Sequence, residues 1–366
     1  MATLIATAAC GDPAIETRNH DDKLFGPAPQ SGQKFGLSLT AGQDVLVVGA
    51  SDAAVVFQRT PSTQQWNQAA ILVPDDAMEL AQTPVALADD SIGVCGTNVS
   101  SGLRYLFVFE RAGSSWDQVA RFAPTDQTPS DRFCSALDGA GSVLVARAAG
   151  AAYVYERDAD GWSATEYLAT GDAEADNELA ASVATNGSTI VLGRRAADPY
   201  VFERPAGDWQ LTARLRGSQN SLDSYGTPVA LNRDFAIVGA QNSGAHATGA
   251  AYVFERVDDQ WRSHSTLEPN SLEDFATFGA SLAVAENRLV VGAYRDGGEL
   301  QPGAAYWFEL VEGTWVAQAR LEASDESWWL GRSVAATSNA LFAGTEFDEE
   351  KGAMAGAVYV FQLDDL

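Results

Sequence analysis

The chain has 366 residues, 46% of them apolar, and 49 acidic against 23 basic side chains, for a formal charge of -26. That balance argues against a nucleic-acid binder, whose phosphates need Lys and Arg, and against docking on anionic membranes; a soluble, self-repelling surface is one reading and a high-salt habitat a second. No run approaches the roughly 18 apolar residues of a membrane span.

In chain order, residues 1–34 stand apart. Ala2–Ala9 reads "ATLIATAA", and the following 11–34 segment is polar and rich in Pro and Gly, as in a linker or long loop. From Phe35 the chain becomes periodic. "FGLSLTAGQDVLVVGA" at Phe35 returns as "FGASLAVAENRLVVGA" at Phe278, with weaker copies at Ala81, Phe133, Leu179, Tyr225 and Leu330, each 46 to 53 residues after the last. Each copy is followed by an aromatic tripeptide ending at Phe57, Phe109, Tyr155, Phe202, Phe254, Phe308 or Phe361. Six copies then carry a tryptophan: Trp66, Trp116, Trp162, Trp209, Trp261 and Trp315.

Each unit reads as four short strands: "GASLAVA", a tight polar turn, "RLVVGA", then "GAAYVFER", and a last strand that opens near the tryptophan. Alternation of large and small residues marks strands, and no helical period appears. Four antiparallel strands repeated at this period predict a β-propeller blade. One blade cannot bury both faces alone, so blades stack around an axis. The expectation is therefore an all-β, seven-bladed propeller of four-stranded antiparallel blades over 35–366.

The seventh copy stops at Leu366 without a tryptophan strand. Ala2–Ala9 then has two readings: the missing outer strand, clasping the ring, or the remnant of a bacterial lipoprotein signal with Cys10 as its lipid-bearing residue. The two coexist in a longer precursor.

The pattern "FG…VVGA…GAAYVFER…W" resembles the FG-GAP repeat of integrin α-chain propellers and of bacterial envelope proteins, from about Phe35 to Phe361. That resemblance implies the propeller fold but spans adhesion, sugar binding, scaffolding and occasional catalysis. Integrin-type repeats often carry a DxDxDG calcium loop between the first two strands. Here those turns are "AENR", "LNRD", "TNGS" and "TSNA", too short for the 6–8 oxygens calcium takes. No cofactor is expected.

Loops on a rigid scaffold collect function, so a site is expected on the face of the second-to-third-strand loops. Arg147 and Arg194 stand where other copies have the "GA" of "VVGA"; Arg195 follows, Arg332 falls just after "FG", and Arg295 lies two residues past its own "GA". These arginines are expected either at the channel mouth, as an anion site, or paired with Asp131, Asp138 or Glu178. Trp328 and Trp329 stack on a ligand or pack between blades. Asp172, Glu174, Asp176 and Glu178 form either a metal loop or a solvated acidic one. Cys95 and Cys134 should lie toward one face as buried structural residues; whether they pair is open. No HExxH or GxSxG motif occurs, and only His20, His246 and His264 are present.

The function expected is non-catalytic: a monomeric ligand-binding, adhesion or scaffold propeller, secreted or in the cell envelope, with a cytoplasmic place left open. Its partner would be a protein, glycan or small anion on the loop face. The alternatives are a lectin-like propeller and an enzyme with one site at the channel mouth.

Overall fold

The computed structural model describes residues 15–363 except 30, 76–77, 80–83, 114, 126–127, 129–130, 149, 172–178, 180, 218–223, 245, 299–300 and 326. Seven antiparallel sheets form the blades. Their innermost strands are Ser38–Ala41, Val85–Ala88, Leu137–Ala140, Ser182–Thr185, Val229–Leu231, Ser281–Ala285 and Ser333–Ala336, in blades 1 to 7. Each packs on the next, and that of blade 7 on that of blade 1, which closes the ring. No α-helix occurs among the described residues.

The residue pattern explains the layers. Second strands such as Val45–Gly49 are covered on both faces by neighbouring blades, so they run apolar without alternation. Outer strands such as Ser115–Phe122 alternate exposed and half-buried residues. Two of the polar turns between first and second strands are Asx turns: Asn186 Oδ1 accepts from the backbone of Ser188 and Thr189, and Asn232 Oδ1 from Asp234 and Phe235. Where the third strand carries the aromatic tripeptide, the pairing to the outer strand shifts by one residue in blades 1 to 6, at Val56/Phe57, Val108/Phe109, Val154/Tyr155, Val201/Phe202, Val253/Phe254 and Trp307/Phe308. Such a bulge adds twist to the blade edge.

The repeated glycines have one purpose. At the seam between blades 5 and 6, Gly239 and Gly249 of one blade lie against the backbone of Phe278 and Gly279 of the next. A Cβ on Gly249 would collide with the carbonyl of Phe278, and one on Gly239 with the carbonyl of Gly279. The same contacts recur with Gly292 and Gly303 against Leu330 and Gly331, and with Gly344 and Gly356 against Phe35 and Gly36. The ring thus closes with the contact that joins its interior blades. Inner-strand serines lace the seams: Ser281 and Ser333 donate to the carbonyls of Gly331 and Gly36, and Ser182 Oγ accepts from Val229 N.

At the seam between blades 2 and 3 the pattern changes. Cys95 occupies the position of Gly239, and Cys134 that of Gly279. They form a disulfide with Cα atoms 5.7 Å apart. Both are fully buried.

The N-terminal segment departs from expectation. Ala2–Ala9 and Cys10 lie outside the described residues. The stretch read as linker carries two strands. Asp22–Leu24 is the outer strand of blade 7, antiparallel to Ala357–Gln362. Glu16–Asn19 runs parallel to the outer strand of blade 6. Neither shows an apolar pattern because an outer strand buries little; of Asp22–Leu24 only Leu24 is buried.

Candidate functional site

The loop face is built from the second-to-third-strand loops and the blade connectors. In five blades the residue before the "FG" phenylalanine or its substitute is described, and it has a left-handed backbone: Lys34, Arg132, Ser224, Thr277 and Trp329, with φ from 52° to 61°. This conformation belongs to the repeat, so the φ of Trp329 is inherited from the seam rather than imposed by a ligand. The side chain at this position varies from blade to blade, and blade 7 has an indole.

Around Trp329 the connector between blades 6 and 7 meets the loops of both. The Trp329 ring lies 5.5 Å from Tyr294 and 4.6 Å from Phe347. Its Nε1 donates to Gln301 Oε1 at 3.2 Å. The Arg332 guanidinium lies 5.0 Å from the Tyr294 ring centre; that of Arg295 lies 5.5 Å from Tyr294 and 5.7 Å from Trp329. Trp328, next in the chain, is 57% exposed, and its carbonyl accepts from the Thr345 hydroxyl. Arg295 is exposed, whereas Arg332 is half-buried and its Nε, shielded from solvent, has no hydrogen-bond partner. Among the described residues no carboxylate comes within ion-pair distance of either guanidinium.

Directly below, the blades are fastened by buried carboxylates. Asp296, 1% exposed, accepts from the Tyr306 hydroxyl at 2.7 Å and from Arg320 Nε at 2.9 Å. Asp348 accepts from the Tyr359 hydroxyl at 2.6 Å and pairs with Lys23 Nζ at 2.8 Å. Arg320 and Lys23 occupy the same place, each paired across from its tyrosine on the outer strand. Lys23 also reaches Asp325 and Glu350, at 2.6 and 3.0 Å. Burial disfavours the Asp325 charge, but the Lys23 ammonium outweighs it and holds that carboxyl below its usual range.

The arginines expected at one channel mouth fall into three groups. Arg295 and Arg332 meet at Tyr294 as described. Arg194 lies 5.3 Å from the Tyr200 ring centre, which also carries Arg214 at 4.6 Å, and Arg195 is exposed beside it. Arg147 lies near Arg104, whose pKa is lowered by burial and by the Arg147 charge. None of these side chains lines the axial cavity. The reason is geometric: "GA" and the loop positions sit at the far ends of the second strands, while the inner strands alone face the axis. Asp172, Glu174, Asp176 and Glu178 lie outside the described residues.

The axial cavity holds about 360 Å³ and is lined by inner-strand residues, nearly all apolar or hydroxyl-bearing, with Asp138 the one ionisable group among them. Asp138 is not paired with an arginine; its Oδ2 accepts from Thr185 N at 2.7 Å, joining blades 3 and 4. It is half-buried at the channel wall, and its removal from water by the surrounding protein pushes its carboxyl up to about 7.

Tyr294 and Phe347 were not legible as site residues. Tyr294 stands where other copies have Ser51, Thr97, Gln241 or Glu346, and Phe347, one position further on, stands where they have Asp52, Asn98, Asn242 or Arg295; an aromatic at either place could have been flagged by comparing the copies.

Residues 209–254 and 261–308 match the family model described as FG-GAP repeat. Comparison with curated proteins gave no match.

Proposed function

We propose that this FG-GAP-type propeller is a non-catalytic binding protein of the secreted or cell-envelope space that takes its ligand on the loop face between blades 6 and 7. The observation that carries this reading is the Arg295–Arg332 pair. In a chain with 49 acidic residues, two guanidiniums rest on aromatic rings without a carboxylate partner among the described residues. A charge set partly out of water needs a partner, and Trp328, exposed and next in the chain to the Trp329 ring that Arg295 rests on, offers apolar contact. Binding rather than turnover fits these groups: guanidinium stays protonated, and neither it nor an indole is a nucleophile. The Cys95–Cys134 disulfide supports an oxidising compartment, since such bonds are rare where thiols are kept reduced.

A thermal-shift screen of glycans, peptides and small anions tests the reading. A ligand of this face raises the Tm of the wild type by mass action and loses its effect on Trp328→Ala. A hit that stabilises both proteins equally places the site elsewhere and defeats the proposal.

A further inference from the structure

The same cluster specifies the chemistry of what it holds. We infer that the blade 6–7 site takes a ring-borne monocarboxylate: one carboxylate on a sugar or aromatic ring. This rests on the binding reading above and deepens it.

The anion follows from Arg332 and Arg295. A guanidinium presents its donors in a planar fork that matches a carboxylate. The Arg332 guanidinium is half-buried on the Tyr294 ring with no carboxylate within ion-pair distance among the described residues, so an incoming carboxylate supplies the partner the protein does not. Tyr294 supports both guanidiniums, fixing them before a ligand arrives. Arg295 is the exposed partner that completes the grip.

The limit to one carboxylate follows from the rest of the molecule. At a formal -26, the surface repels a polyanion once it comes within the Debye length, about 8 Å at physiological salt. A single charge is repelled far less, and the short-range pair to arginine repays it.

The ring follows from Trp328 and Trp329. The Trp329 indole, 5.7 Å from the Arg295 guanidinium, and its chain neighbour Trp328, which is 57% exposed, give flat apolar surface suited to the C–H face of a sugar or the face of an aromatic acid. An extended acidic peptide fits poorly. Peptides gain affinity by adding a strand to a free sheet edge, and here the free edges lie on the outer rim, not on the loop face.

Nuclear magnetic resonance titration of the full chain tests this with two arms: methyl glycosides of glucuronic, galacturonic and mannuronic acid beside their neutral counterparts, and benzoate beside benzamide. The expected result is binding by at least one acid, at least tenfold weaker binding of its neutral partner, and loss of binding in Arg332→Gln and Trp328→Ala. The arm that responds identifies sugar or aromatic acid. If a neutral partner binds as well as its acid and still depends on Trp328, the carboxylate assignment falls while the loop-face site stands. If an acidic peptide used as competitor binds more tightly than every acid, the ring assignment falls. Silence of the whole panel overturns the inference. Arg332→Lys guards against misfolding: it keeps the charge and must retain the Tm while weakening the acid several-fold.

Discussion

The seams between blades 2 and 3 and between blades 5 and 6 occupy equivalent places in the ring and are built from opposite chemistry. At one, Gly239 and Gly279 let two backbones touch. At the other, Cys95 and Cys134 stand in the same two positions and are covalently joined. What the position demands is close approach between blades at the loop end of the second strand. Glycine meets the demand by having no side chain, and cystine by making the side chains into the link.

The largest break in this comparison comes from Gly249→Ala. The new methyl meets the Phe278 backbone, which cannot yield as a side chain can, and the residue sits at φ +96°. A loss of about 4 kcal/mol or more is expected in urea denaturation, the scale of severe strain. Gly313→Ala, at φ +74° with nothing within 4 Å, carries the backbone strain alone and should lose about 1 kcal/mol. Equal losses would mean that seam contact is irrelevant and only φ matters.

Next in size is the covalent seam. Cys95→Ser with Cys134→Ser removes a link across 39 residues, worth about 4 kcal/mol in the chain-entropy account. The sharper variant replaces both by glycine and so rebuilds the blade 5–6 seam at blades 2–3. It should be more stable than the serine pair by about 1 kcal/mol, since Cys134 sits at φ +53°. If the two variants melt together, the positions are not equivalent.

Blades 6 and 7 offer a parallel test one layer down. Lys23→Met leaves Asp348, 1% exposed, without its cation, and Arg320→Met does the same to Asp296. Each should lose about 3 kcal/mol, the scale for orphaning a buried charge. Because Lys23 comes from the N-terminal strand, its loss should also raise proteolysis near Glu16–Asn19, and the loss of Arg320 should not. The Asp325 carboxyl is depressed, so its share of stability is present above the unfolded carboxylate range and is lost as pH falls through the folded value. Lys23→Met should therefore flatten the acid limb of the stability profile.

The smallest expected effect lies on the axis. Asp138 has its folded pKa raised to about 7, against about 4 unfolded. Between those values the folded state binds the extra proton, so this group favours folding at low pH and opposes it progressively up to pH 7. Asp138→Asn should change little at pH 4.5 and raise the Tm by about 2 °C at pH 8. A Tm gap independent of pH would show that the carboxyl stays ionised.

The candidate site was partly legible. Arg295 and Arg332 departed from the internal consensus, Trp329 stood out as half of an aromatic pair, and the three meet at one place. Arg147 and Arg194 departed in the same way, yet belong to other clusters, because a consensus position names a blade height and not an angle around the ring. Tyr294 and Phe347 escaped notice since aromatic residues recur throughout the chain and only contact separates a packing ring from a site ring. Asp22–Leu24 escaped because a strand at the rim needs no apolar pattern.

The sequence by itself determined the number of blades and their strand order. Those are properties of a repeat: each copy meets only its neighbours, so local patterning and the glycines that permit contact suffice. Tertiary structure alone decided three things: that two cysteines in different blades share a seam, that the polar Asp22–Leu24 completes the last blade, and that Arg295 and Arg332 share one ring. Each joins residues whose separation along the chain carries no signal of distance, and ring closure fixes that distance by stacking every blade on the next.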